Sequence, residues 1–244
     1  MPLAESALPV FQRGDWPGKM RFRRGWARAE ARRWNDVIPD ANLRLLRGGS
    51  GFLTACTEKL REFGAPSVLS PPLPVSGRRT WRTAGYEEFV ELALMRLDLE
   101  SGPSTPDHLV VETQDPDLDD LLEVDRGSFT DFWRFDHNGL SEAIAATGRS
   151  KSFIIRGGDG PPIAYVIVGY GHAIAYLQRL AVHPEWQGNG MGRSLVRVAA
   201  RSARASGARA MLLNTQFDNK AALGLYEAEG FVILPERLAV LQSQ

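Results

Sequence analysis

Apolar and polar positions alternate most clearly in the second half of the chain, where they assign a run of elements. Residues 109–111 are apolar and predict a short strand. Between 117 and 128, Leu118, Leu121, Leu122 and Val124 recur among acidic neighbours at helical spacing, which predicts an amphipathic helix, and residues 136–147 predict a second. Residues 151–156 and 163–170 are rich in strand formers, and the glycine and proline turn between them marks a hairpin. A third strand over about 173–182 ends at His183 and Pro184. A glycine-rich turn then opens into a helix over 194–205, favoured by its Ala, Arg and Leu content and stopped by Gly207. Residues 209–214 read as another strand, 219–229 as another helix, and 231–241 as a last strand or pair of strands.

The first hundred residues carry a weaker pattern. Residues 15–34 are ambiguous between helix and strand, while 54–63 predict a helix. A faint echo of the second half appears. Gly64-Ala65 before a β-rich run resembles Gly207-Ala208, and Trp81 with Gly85-Tyr86 repeats the spacing of Tyr226 with Gly230-Phe231. A shortened, degenerate copy of one unit would give this echo, and so would chance, because the matching residue types are common. Residues 101–107 are rich in turn formers and lack apolar periodicity, so a linker is expected there, with domains over 1–104 and 105–244.

Composition narrows the class. The chain has 244 residues, enough for one large core or two small ones, and its hydrophobic fraction of 43% is that of an ordinary globular protein. Its 29 basic and 29 acidic residues cancel, which removes any global attraction for nucleic acid or an anionic membrane. A local exception lies between residues 13 and 34, where arginines such as Arg13, Arg21, Arg23 and Arg28 interleave with Trp16, Phe22, Trp26 and Trp34. That pattern suits phosphate contact with base stacking, and equally suits arginine stems flanking half-buried aromatics. Cys56 is the single cysteine and sits in an apolar run, so an intramolecular disulfide and a cysteine-based metal cluster are excluded. No metal is expected, and a reducing cytoplasm fits. The amino-terminal stretch has no long apolar region and the chain has no run of ~18 apolar residues, so neither secretion nor membrane spanning is expected.

The chemistry concentrates in Gln187-Gly188-Asn189-Gly190-Met191-Gly192-Arg193, between an apolar strand and a helix. The first turn of a helix offers unpaired N–H donors and the positive end of the dipole, and glycines let an anion approach the backbone. Glycines at such a junction also serve simply as tight-turn residues. No Lys-Ser or Lys-Thr pair follows them, and the turn does not lie in a first βαβ unit, so the nucleotide-binding loops do not fit.

The stretch from Leu180 through Gly192 resembles the acetyl-CoA signature of the GNAT superfamily of N-acetyltransferases, Gln or Arg followed by x-x-Gly-x-Gly or Ala, with Gln187, Gly190 and Gly192 in those places. Asn219 through Phe231 is similar to its second signature, Asn-x-x-Ala-x-x-x-Tyr-x-x-x-Gly-Phe. The resemblance implies an α/β fold with a mixed, mostly antiparallel central sheet flanked by helices, and the internal echo, where it is not chance, adds a first, shortened unit of the same kind. It implies acetyl-CoA as cosubstrate, with the backbone of Leu180, Ala181 and Val182 pairing with the pantetheine arm. Gln187, Gly188, Asn189, Gly190, Met191, Gly192 and Arg193 would hold the pyrophosphate. The N–H of Val182 would face the developing oxyanion, Tyr226 would protonate the leaving thiolate, and Asn219 would contact the cosubstrate. Tyr226 is otherwise an aromatic on an amphipathic helix, packed in the core.

The resemblance stops at the general base. Gln178 and Asn214 stand where a carboxylate is expected, leaving a water relay, a partly neutral amine, or His172, His183 or Glu185. The expected reaction is acetyl transfer to a primary amine, and the alternative is a noncatalytic acyl-CoA-binding regulatory module. The acceptor is undetermined between a protein amine and a small molecule. The mix of aromatic and acidic residues over 131–136 suits either an acceptor wall or core packing. A two-unit architecture also resembles the tandem GNAT enzymes of mycothiol synthesis. Oligomeric state has no signature in the sequence.

Overall fold

The computed structural model describes residues 9–243, so the start of the amino-terminal stretch, part of the secretion argument, lies outside it. Two compact units are present. One holds the residues up to Leu92 together with those from Glu236 onward, and the other is Ala93–Pro235.

In the first unit, β1 (Phe11–Arg13), β2 (Met20–Arg24), β3 (Ala27–Arg33) and β4 (Ala41–Arg47) pair antiparallel in sequence order. The segment that was ambiguous in sequence is therefore the β2–β3 hairpin. Its side chains obey the two-residue period of a strand: Met20, Phe22, Ala29 and Ala31 point into the core, and Arg21 and Arg23 point out. Helix α1 (Ser50–Glu62) covers the inner face with Phe52, Leu53, Cys56 and Leu60. Burial pushes the Cys56 thiol up to about 12, which makes it an inert core residue. After α1 come β5 (Val68–Leu69), parallel to β4, then β6 (Leu73–Pro74) and α2 (Arg78–Thr83). A long strand, β7 (Tyr86–Asp98), leaves the unit at Leu92.

In the second unit, β8 (Val111–Thr113), α3 (Leu118–Ser128) and α4 (His137–Ala145) precede an antiparallel meander of β9 (Ser150–Arg156), β10 (Pro162–Tyr170) and β11 (Ile174–Val182). Then follow α5 (Met191–Ala205), β12 (Ala210–Gln216), parallel to β11, α6 (Lys220–Ala228) and β13 (Val232–Ser243), which belongs to the first unit from Glu236 onward. The sheet runs β7-β12-β11-β10-β9-β8. Leu121, Leu122, Val124 and Leu140 pack on one face against Ile154, Tyr165 and Ile167. Leu195, Ala199 and Ala203 of α5 pack on the other against Val166, Val168 and Leu177. This is the mixed, mostly antiparallel sheet flanked by helices expected from the sequence.

Residues 101–107 are irregular, as read, but the units divide at Leu92 and Ala93 rather than between 104 and 105. Ala93, Met95 and Leu99 are buried in the core of the second unit, while Ala239 and Leu241 are buried in that of the first. The meander, helix, parallel strand and helix of the second unit recur in the first as β2-β3-β4, α1, β5 and α2. The echoed rings also touch, Trp81 on Tyr86 at 4.8 Å and Tyr226 on Phe231 at 5.6 Å between centroids. Among the described residues, no helix is long and apolar enough to cross a membrane.

Candidate active site

The site begins where two parallel strands part. β11 pairs with β12 at Ile174↔Ala210, Ala175↔Met211 and Tyr176↔Leu212, and the register goes no further. Against β10 it stays paired to Val182, but Ile167↔Arg179 is followed by Val168↔Leu177, so Gln178 is the extra residue of a bulge. A bulge bends its strand and increases the local twist, which turns the end of β11 away from β12. The His183 N–H donates to the Ile163 carbonyl at 2.8 Å. By the alternation of a strand, the N–H of Ala181 also faces β10, and those of Leu180 and Val182 face the opening. The Val182 carbonyl accepts from Ser128 Oγ and from Gln187 Nε2, both at 2.9 Å, so the Gln187 side chain ties the turn to the strand.

The glycine turn follows. Gly188 and Gly190 have φ of 78° and 80°, a backbone form that residues with a Cβ rarely adopt. Helix α5 has Gly190 as its N-cap with no side-chain cap, and its opening bond runs from the Ser194 N–H to the Gly190 carbonyl at 3.1 Å. The N–H groups of Met191, Gly192 and Arg193 therefore have no partner within the helix, at its positive end. Asn189 folds back, its Nδ2 3.3 Å from the Trp186 carbonyl, and the Met191 side chain is core. A Cβ on Gly192 would lie 3.1 Å from Leu225 Cδ2, so that glycine lets α5 press on α6. The Arg193 guanidinium pairs with Glu229 at 3.3 Å, which leaves its backbone N–H as the group it offers the turn. His108 was missed in the sequence: its Nδ1 is 3.0 Å from buried Ser194 Oγ, at the rim of the turn.

Tyr226 and Asn219 come from α6. Tyr226 is buried, and burial pushes its hydroxyl from the ordinary 10.0 to about 12, with the charge of Arg179 pulling the other way. Asn219 caps α6, its side-chain oxygen accepting from the Ala222 N–H at 3.2 Å. Gln178 has a buried Oε1 with no hydrogen bond among the described residues, and Asn214 is exposed on β12. His172 and Glu185 are exposed surface and turn residues.

A buried ion pair also escaped the sequence reading. Asp125 of α3 is fully buried and accepts from Arg179 Nε and Nη2 and from the Tyr165 hydroxyl, each at 2.7 Å. It also accepts from the Phe135 N–H at 2.7 Å, and Arg179 donates to the Trp133 carbonyl at 2.9 Å. The guanidinium lies between Phe129 and Phe135, 3.5 and 3.8 Å from their centroids. The pair thus fixes the loop over 129–135, and Phe129 and Phe135 belong to its packing. A signal for it existed, since Asp125 lies one helical turn after Leu121 on the apolar face, a place that a charge occupies only when partnered.

The order of elements, the parting strands and the glycine turn agree with a match of residues 118–231 to the acetyltransferase (GNAT) family. Residues 118–231 are a GNAT acetyltransferase domain. Mycothiol acetyltransferase of Nocardiopsis dassonvillei is 34% identical over 124 residues, which cover 48% of this chain and 33% of that protein. The matched stretch thus spans a third of that relative. A putative ribosomal protein bS18-alanine N-acetyltransferase of Bacillus subtilis is 27% identical over 117 residues, 47% of this chain and 74% of its own. In fold, the chain is similar to a tandem GNAT protein from the clavulanic acid biosynthesis pathway, with a TM-score of 0.62 at 15% identity over 92% of this chain and 82% of that one. A GCN5-related N-acetyltransferase from Sphaerobacter thermophilus gives a TM-score of 0.57 at 16% identity, over 93% and 80%. The GNAT domain lies in the second unit, and the family is one of acyltransferases.

Proposed function

We propose that the GNAT domain transfers the acetyl group of acetyl-CoA to a primary amine. The observation that carries this reading is the open edge of β11 running directly into the uncapped start of α5. An extended pantetheine arm pairs with the edge at Leu180 and Val182 as an added strand, and the pyrophosphate meets the N–H groups of residues 190–193. Positive φ at Gly188 and Gly190 leaves the backbone open to that contact.

Acetyl-CoA as cosubstrate supplies an activated thioester carbonyl. The chain supplies the rest. The Val182 N–H, aimed at the opening, donates to the oxygen on which charge develops when the amine attacks. Tyr226 keeps its proton at neutral pH and gives it to the departing sulfur. Gln178 and Asn214 do not titrate, so the amine loses its proton to water or arrives neutral.

The test is release of free thiol from acetyl-CoA in the presence of a panel of amines, from small polyamines to peptides. Turnover with at least one amine supports the proposal. Binding of acetyl-CoA without turnover on any of them supports the noncatalytic module instead. The similarity to mycothiol and ribosomal-protein acetyltransferases supports including both thiol-precursor amines and peptide N-termini in the panel. The recurring element order and ring contacts support reading the first unit as a reduced copy of the second.

A further inference from the structure

The first unit carries a second chemical feature, apart from the acetyltransferase site. The register of β1 to β4 brings two rows of side chains onto the outer face of the sheet. One row is Arg13, Arg21, Glu30 and Arg44, and the other is Phe11, Arg23, Arg28 and Arg47. Arg13, Arg21, Arg23, Arg44 and Arg47 are exposed, and Arg28 is half-buried. Opposite them, the inner face of the same strands is the apolar core under α1.

Like charges directly opposite each other on neighbouring strands are destabilising, yet Arg23, Arg28 and Arg47 stand in register. Local acids do not neutralise them. Among the described residues, Arg21 meets Glu30 at 3.3 Å, whereas Arg23 and Arg28 turn to the backbone carbonyls of Gly25 and Ala27. The face therefore concentrates six positive charges against one negative in a chain whose formal net charge is zero. Two aromatic rings border it. Phe11 is 65% exposed and Trp26 is 47% exposed, with the Arg47 guanidinium 4.8 Å from the Trp26 ring centroid.

We infer that this face binds a single-stranded nucleic acid, its phosphates on the arginine rows and bases stacked on Trp26 and Phe11. Strands lie ~4.8 Å apart and same-face neighbours along a strand ~6.7 Å apart, so the guanidinium groups form a grid that a flexible backbone follows. Arginine offers a planar, bidentate fork to phosphate. Exposed rings set among arginines favour a single strand over a duplex, whose base faces are already stacked. Phe22 is removed from the set suggested by sequence, since it points into the core. Arg44 and Arg47 join it through β4.

The experiment is fluorescence anisotropy of a labelled oligouridylate and the matching oligodeoxythymidylate, titrated with the whole protein at several salt concentrations. Saturable binding is expected to weaken with salt, with a log–log slope of about −3 for four neutralised phosphates at ~0.7 each. Trp26→Ala should weaken binding roughly tenfold, and Arg23→Gln with Arg44→Gln at least as much. Should the double variant fail to fold by circular dichroism, the single Arg44→Gln at an exposed position serves. Equal preference for RNA and DNA supports contact through phosphate and base faces alone. No salt-sensitive binding, unchanged affinity in folded variants, or tighter binding to duplex or to anionic phosphatidylserine vesicles would overturn the inference.

Discussion

Tyr226 and the Asp125–Arg179 pair show how burial fixes the chemistry of single residues. With its hydroxyl at about 12, Tyr226 holds its proton across the working range and so remains a donor. Tyr226→Phe should lower turnover by roughly a hundredfold, within the range of general acid contributions, and leave the affinity for acetyl-CoA unchanged. An undiminished rate in that variant removes Tyr226 from the mechanism. Arg179→Leu strands the Asp125 carboxylate in the core, and losing one member of a buried pair costs about 3–5 kcal/mol. Denaturant unfolding should show that loss, and a change below about 1 kcal/mol would mean that the pair is not what fixes the loop. Glycines, asparagine and tyrosine in two ordered signatures pointed to the candidate site. Asp125 and Arg179 were not, because they stand 54 residues apart and become partners through the fold alone.

At the scale of elements, the helix caps separate packing from binding. Asn219 caps α6 through its side-chain oxygen, and its amide nitrogen takes no part in that bond. Asn219→Ala should cost about 1 kcal/mol of stability through the lost cap. Asn219→Asp keeps a capping oxygen, so its stability should stay near that of the native chain while a cosubstrate contact through the amide would be lost. Calorimetry with acetyl-CoA distinguishes the two roles, for unchanged affinity in Asn219→Asp makes the residue a cap only. The elements themselves were largely legible. Asp117 and Asp136 cap α3 and α4 where the pattern placed the helix starts, and β9 to β12 lie within a few residues of their expected spans. Helix α5 begins three residues earlier than read, since its first turn is the glycine segment itself. In the first unit, β4 and the long β7 were missed: Leu46, the extra residue of a bulge, breaks the alternation of Ala41, Leu43 and Leu45, and Glu88 and Glu91 interrupt that of β7.

On the scale of the molecule, the division into units has consequences for what folds alone. Ala93, Met95 and Leu99 belong to the second core, so a chain beginning at Ala93 should fold more stably than one beginning at residue 105, by several degrees in thermal unfolding. Equal melting temperatures would favour the linker as the boundary. A loop between two buried segments of one unit has the same composition as a linker between units, so the turn formers at 101–107 fit either boundary. Buried tyrosines give the alkaline limit. Tyr165 and Tyr226 are raised by burial, so the folded state keeps protons that the unfolded chain gives up above about 10. Their contribution is complete below that pH and is lost as the pH rises towards the folded values. Stability should therefore fall above pH ~10, and a flat profile to pH 12 would contradict the burial of these hydroxyls.

Calorimetric titration of acetyl-CoA into the native protein and into a Gly190→Gln variant tests whether the turn between β11 and α5 holds the cosubstrate. Gly190 has φ of 80°, and a Cβ there would lie 3.6 Å from His108 Cε1, so a glutamine strains the turn and crowds its rim. One-site binding to the native protein is expected, weakened at least tenfold in a variant that remains folded. No binding to the native protein, or equal binding to both, would contradict a cosubstrate site at this turn.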